Sequence, residues 1–131
     1  MSASVAVQDA LVAALTEVGP VVYVVRPQAA NGGSDAVYPH IQIGAVIFAP
    51  WDTFTETGHD FVARIHTRWR GENQLTGSAI QDAIYARLHR TTDIHMDGFS
   101  SILLTRETSF VTPTDGGFEG ICEYRGLLQA D

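Results

Sequence analysis

The eleven residues Asp60-Phe-Val-Ala-Arg-Ile-His-Thr-Arg-Trp-Arg70 alternate strictly, with Phe61, Ala63, Ile65, Thr67 and Trp69 at odd positions and Asp60, Val62, Arg64, His66 and Arg68 at even ones. Successive side chains of a strand point to opposite faces, so this pattern predicts a β-strand with one core face and one polar face. A sheet with only one apolar face needs a single covering layer, and the sequence has two helical stretches to supply it.

Upstream, Ile41, Ile43, Ala45 and Ile47 alternate with His40, Gln42 and Gly44, predicting a partner strand that Pro50 interrupts. Before it, VVYVV (21–25) is short, β-branched and aromatic, and the following loop is rich in Gly, Asn, Ser and Pro. The first segment repeats Val7, Leu11, Ala14, Leu15 and Val18 at helical spacing, with Ser4 as N-cap and Gly19-Pro20 as the stop, giving a helix over about 4–18. Asp9 and Glu17 and the lack of a basic start favour an amphipathic helix over a signal peptide.

Downstream, the spacing predicts a helix over 72–90 whose stripe is Leu75, Ala79, Ile80, Ala83, Ile84 and Leu88, with Gln81 off the stripe. Gly77 weakens its first turn, and Ser78 with Gln81 offers a capping box as an alternative start. The last third, SILLTRETSFV, PTDGG and FEGICEYRGLLQ, reads as a long hairpin turning at Asp115-Gly116. The expected architecture is α+β: a mixed sheet of about five strands packed against two helices in the order α-β-β-β-α-β-β. Residues 1–131 are read as a single domain.

Composition restricts the function classes. The chain has 131 residues, 45% hydrophobic and 18% charged, ordinary proportions for a folded domain. No apolar run reaches the ~18 residues of a membrane span, so no membrane partner is expected. Eight basic against 15 acidic residues give a net charge of −7, which disfavours tight, non-specific nucleic-acid binding. Cys122 is the single cysteine, read as a small mid-strand hydrophobe rather than a nucleophile.

Chemistry-bearing patterns are sparse. The five histidines form no HExxH and no tight Cys/His cluster, so no metal is expected. Ser100 and Ser101 lack the G-x-S-x-G elbow, and Asn31-Gly-Gly-Ser lacks the Lys-Ser/Thr ending of a phosphate loop. Asp52, Glu56 and Asp60 are read as a solvated edge, and no cofactor or catalytic residue is expected. Arg64 and Arg68 share a face with Asp60 and His66, which favours ion pairing or a subunit contact.

Taken in order, Tyr38-Pro39 leading into a strand, the strand-turn-strand ending in Thr67-Arg68-Trp69, the AIYARLH helix and the Pro113-Thr114-Asp115-Gly116 turn before a strand closing on Tyr124-Arg125-Gly126-Leu127 resemble the tail-completion, or tail-terminator, proteins of long-tailed bacteriophages, prophages and gene transfer agents. The likeness covers nearly all of the chain after the first helix. It rests on order and spacing, since no single motif is diagnostic. The loop Gln28–Val37 looks longer than many relatives show.

The resemblance implies a non-enzymatic virion protein of the tail or neck, made in the host cytoplasm. It implies a ring of copies, expected to number six, that caps the tail tube, contacts the major tail tube protein and a head-tail connector or stopper protein, and lets DNA pass through its channel. An acidic channel wall is expected. The contact residues it leaves as candidates are Asn31, Gly32, Gly33, Ser34 and Asp35 in the long loop and Trp51, Asp52, Thr53 and Glu56 in the turn for docking. Arg64 and Arg68 are the candidates for subunit pairing. The alternatives are a head-completion or other minor tail protein and, behind them, a small enzyme.

Overall fold

A computed structural model describes residues 3–24, 38–50, 58–71, 73–89, 98–101, 104–114 and 116–130. They form two helices, α1 (Ala3–Thr16) and α2 (Leu75–Leu88), and strands β1 (Val21–Tyr23), β2 (His40–Pro50), β3 (Gly58–Arg70), β4 (Phe99–Ser101), β5 (Thr105–Thr114) and β6 (Gly117–Ala130). The α+β order is as expected, with one addition. The strand expected to begin at Ser101 is broken into β4 and β5, which lie end to end along one edge of β6.

The sheet runs β1-β2-β3-β6, with β5 and β4 on the far side of β6. Only β1 is parallel to its neighbour. The long central pair β3–β6 holds one register from Gly58↔Gln129 to Arg70↔Gly117, which puts odd residues of β3 and even residues of β6 on the same face. Phe61, Ala63, Ile65, Trp69, Cys122, Tyr124 and Leu128 are all buried there. The alternation of β3 is thus realised from Asp60 to Arg70.

Both helices cover that face. α1 contributes Ala6, Val7, Ala10, Leu11, Ala14 and Leu15 to the core. It begins at Ala3, so Ser4 lies within it instead of capping it. It unwinds at Gly19, whose φ of 121° only glycine adopts readily.

α2 sits one step round from its expected stripe. Its buried residues are Gly77, Gln81, Ile84 and Leu88, while Leu75 is 72% exposed and Ala79 and Ala83 face outward. Trp69 causes the offset. A Cβ on Gly77 would come within 3.0 Å of three atoms of the Trp69 ring, so the helix can rest on the indole only where it has no side chain. Gly120 makes the matching gap beneath the Gln81 amide. The Ser78 capping box does not form; Ser78 Oγ donates to Gln74 O at 3.4 Å, and the Asn73 side chain accepts from Leu75 N–H at 2.9 Å.

β2 departs from simple alternation. Its pairing with β3 slips between Ile43 and Val46, a bulge that adds a residue and reverses the faces. Ile41 and Ile43 are buried as expected. Beyond the bulge Val46 and Phe48 turn to the core, Ala45 is exposed and Ile47 is 63% exposed. The ladder is not interrupted at Pro50, which pairs with His59 as the last residue of the strand.

Candidate interaction surface

The face of the sheet opposite the helices is covered by no described element, and its strand register builds a lattice of opposite charges. Arg64 stands across from Glu123 and Arg68 across from Glu119. Arg64 Nη2 lies 3.5 Å from Glu123 Oε2, and Arg68 Nε donates to Glu119 Oε2 at 2.5 Å. Arg68 also donates to the Gln42 side-chain oxygen on β2. Farther along, Arg125 donates to both carboxylate oxygens of Asp60, through Nε at 3.0 Å and through Nη2. That fork holds the Asp60 carboxyl below the usual carboxylate range and raises the guanidinium in return.

His66 occupies the middle of the lattice. Its ring lies over Gly44, where a Cβ would stand 2.7 Å from Nε2, and its Nδ1 is 3.5 Å from Glu119 Oε2. Burial lowers its pKa first and the neighbouring Arg68 lowers it further, more than Glu119 restores. The imidazole is therefore neutral at pH 7, and the face reads as paired ions around an uncharged ring.

The arginines elsewhere are engaged too. Arg87 Nε bonds Glu17 Oε2 at 2.5 Å and ties α2 to the end of α1. The Arg70 and Arg106 guanidinium groups lie 4.2 Å from the ring centres of Tyr38 and Tyr85. All basic residues of the chain are arginine, and every described one has a partner within the chain.

Of the sequence candidates, the structure places Arg64 and Arg68 on this open face and joins each to a β6 glutamate. Asn31, Gly32, Gly33, Ser34, Asp35, Trp51, Asp52, Thr53 and Glu56 lie outside the described residues. Sequence reasoning missed Glu119, Glu123 and Arg125 as the counter-ions. Their odd-numbered spacing in β6 marked a charged face, but which strand would oppose it is a long-range fact that local pattern does not carry. Cys122 is buried and its thiol pKa raised by that burial, in keeping with its reading as a small hydrophobe.

Among the described residues the open face carries exposed apolar side chains at Val21, Ile47 and Phe110, of which the last two lie on long strands. Ile47 lies on β2 opposite Val62, and Phe110, 48% exposed, lies on β5 opposite Ile121. A shallow cleft at the end of the sheet is lined by Tyr38, Arg68, Trp69, Arg70, Thr114, Phe118 and Glu119. Its arginines are already spent on Glu119, Gln42 and Tyr38, so it offers no convergent set of free polar groups. Among the described residues no three His, Cys, Asp or Glu side chains are close enough to share a metal ion, and no helix is long and apolar enough to cross a membrane.

No family model and no curated protein matches the sequence. A solved structure does. This chain is similar to a chain in the virion of a native gene transfer agent (GTA) particle, with a TM-score of 0.69 over 91% of this chain and 84% of that one, at 16% identity. At that identity the likeness is one of fold: a two-layer α+β domain, shared almost end to end.

Proposed function

We propose that this chain is a structural virion protein of the tail-terminator class. Copies of it form a ring, six in number, at the head-proximal end of a tail tube. The ring meets the major tail tube protein on one side and a head-tail connector or stopper protein on the other, and DNA passes through its channel. The observation that carries this reading is the fold shared almost end to end with a chain of a gene transfer agent virion. The ordered sequence resemblance to tail terminators supports it independently.

The surface chemistry agrees with assembly rather than catalysis. A catalytic pocket needs free polar groups converging on one point, and on the open face of the sheet the charged groups are spent on each other. A DNA channel needs walls that do not hold phosphate, because each phosphate neutralised by a free cation adds salt-dependent affinity. Arginines locked to glutamates meet that need.

Mass measurement of the purified protein, alone and mixed with its tube protein, tests the proposal. A ring mass in either sample is expected. Electron microscopy of particles lacking the protein separates the nearest rival: loss of a terminator leaves tails of uncontrolled length. Separate tails of normal length would instead identify a head-completion protein and refute the terminator role.

A further inference from the structure

We infer that copies of this chain join edge to edge, the outer edge of β5 in one copy pairing with the free edge of β2 in the next, so that one sheet continues from subunit to subunit. The inference rests on the ring reading above and adds the surface that closes the ring.

The first observation is the pair of open edges. β6 is paired on both sides, but among the described residues no strand lies beside the outer edge of β5 over Thr105–Thr114, where two backbone groups have side-chain partners: Arg106 N–H donates to His89 Nδ1 at 3.1 Å and Phe110 O accepts from Gln81 Nε2 at 3.5 Å. On the opposite side of the sheet β1 reaches only His40, Ile41 and Gln42, so from Ile43 to Pro50 the outer edge of β2 has no described strand beside it. Rows of unpaired backbone donors and acceptors are templates for another strand.

Direction is the second observation. β2, β3, β6 and β5 are antiparallel at every step, so the first and last of these four strands run in opposite directions. Rotation about an axis along the strands preserves direction, and β5 of one copy therefore meets β2 of the next antiparallel. The two edges are different surfaces, which makes the contact head-to-tail, the kind that closes into rings. Six copies of four strands at ~4.8 Å spacing give a cylinder about 37 Å across at the backbone before strand tilt widens it. The bulkier helical layer lies outside, and the paired ions face the channel.

The exposed side chains supply the third. Ile47 and Phe110 sit one on each open edge, both on the face away from the helices. Setting Phe110 opposite Ile47 makes an aromatic–β-branched cross-strand pair, a stabilising combination. The same register puts Val111 opposite Val46 on the helix side. It leaves Pro50 and Pro113, which cannot donate to a ladder, outside the central run.

The test is cross-linking with Ile47→Cys and Phe110→Cys; the native Cys122 is buried. Under oxidation the double variant should give a ladder of covalent multimers ending at the ring size, and neither single variant should pass a dimer. In parallel, Phe110→Glu or Ile47→Arg alone should raise the concentration for half-assembly roughly ten-fold or more, with an unchanged urea midpoint for the monomer. The two together should restore assembly. If the wild type forms rings while the double cysteine variant gives no ladder, or one stopping at dimer, the edge contact is wrong and the ring reading stands. If the wild type stays monomeric alone and with its tube protein, both fall.

Discussion

Gly77→Ala exchanges a poor helix residue for the best one and should nevertheless destabilise the protein. In an exposed helix interior the exchange would gain about 1 kcal/mol. Here the added methyl would fall within 3.0 Å of Cε3, Cζ3 and Cη2 of Trp69. That ring is 2% exposed and is held by its Nε1–H bond to Asn73 O at 3.1 Å. Either the indole shifts or α2 lifts off the sheet, and such overpacking costs about 1–3 kcal/mol. The propensity gain is reduced in the first helical turn, so the net loss should be about 1–2 kcal/mol, a fall in Tm of roughly 3–10 °C for a domain of this size. Urea and thermal unfolding at one fixed protein concentration measure it, since assembly would otherwise shift the midpoints by mass action. The cost should shrink when Trp69→Leu is made in the same chain, because the two residues touch. A rise in Tm for Gly77→Ala in the wild-type background would refute the seating of α2 on Trp69.

Gly120→Ala should cost about 1–3 kcal/mol in the same unfolding assay, because its methyl would meet the buried Gln81 amide; Gln81→Ala in the same chain should recover part of the loss. For His66, whose folded pKa lies below its ordinary 6.5, the unfolded chain takes up the proton first. The His66 contribution is therefore complete above pH 6.5 and is lost as pH falls toward the folded pKa. The urea midpoint should drop between pH 7.5 and 5.5 by more in the wild type than in His66→Gln, and equal slopes would remove the histidine from the account. Cys122, buried with a raised pKa, should react with a thiol reagent only as fast as the domain opens; rapid modification of the native protein would show the strand pairing around it to be looser than described.

The sheet was legible in the sequence where both signals of a strand agree. β3 is predicted face by face because it is long, central and paired on both sides, so nothing disturbs its period of two. β2 was legible only as far as Ile43: a bulge costs one residue of register and leaves no mark in the alternation of Ala45 and Ile47. α2 was found as a helix with Ile80, Ile84 and Leu88 inward as expected, but its face is turned so that Gly77 and Gln81 replace Leu75, Ala79 and Ala83. Stripe counting rewards Leu75 and Ala79, whereas the sheet below selects Gly77 for the Trp69 ring and Gln81 for the gap at Gly120. Half of the charge lattice was readable as Arg64 and Arg68. The other half depends on the β3–β6 pairing, a contact between residues some sixty positions apart.

That lattice changes what the acidity of the chain means for DNA. On the described residues Asp9, Glu17, Asp60, Asp82, Glu107, Glu119 and Glu123 are nearly balanced by Arg64, Arg68, Arg70, Arg87, Arg106 and Arg125, so most of the net −7 belongs to the connecting segments. An open face turned toward a channel would then resist phosphate by pre-empting its arginines, not by a uniformly acidic wall. The consequence is measurable with Glu119→Gln and Glu123→Gln combined, which free Arg68 and Arg64. Each arginine that gains a phosphate should add about −0.9 to the slope of log K against log salt. The double variant should therefore bind a DNA duplex that the wild type ignores, and lose roughly ten-fold in affinity between 50 and 200 mM salt. Fluorescence anisotropy of labelled duplex reads both quantities. A wild type that binds as tightly as the variant would show that its arginines are available to phosphate despite their glutamate partners. A channel lined by this face, as proposed, would then have to reject DNA by some means other than pairing.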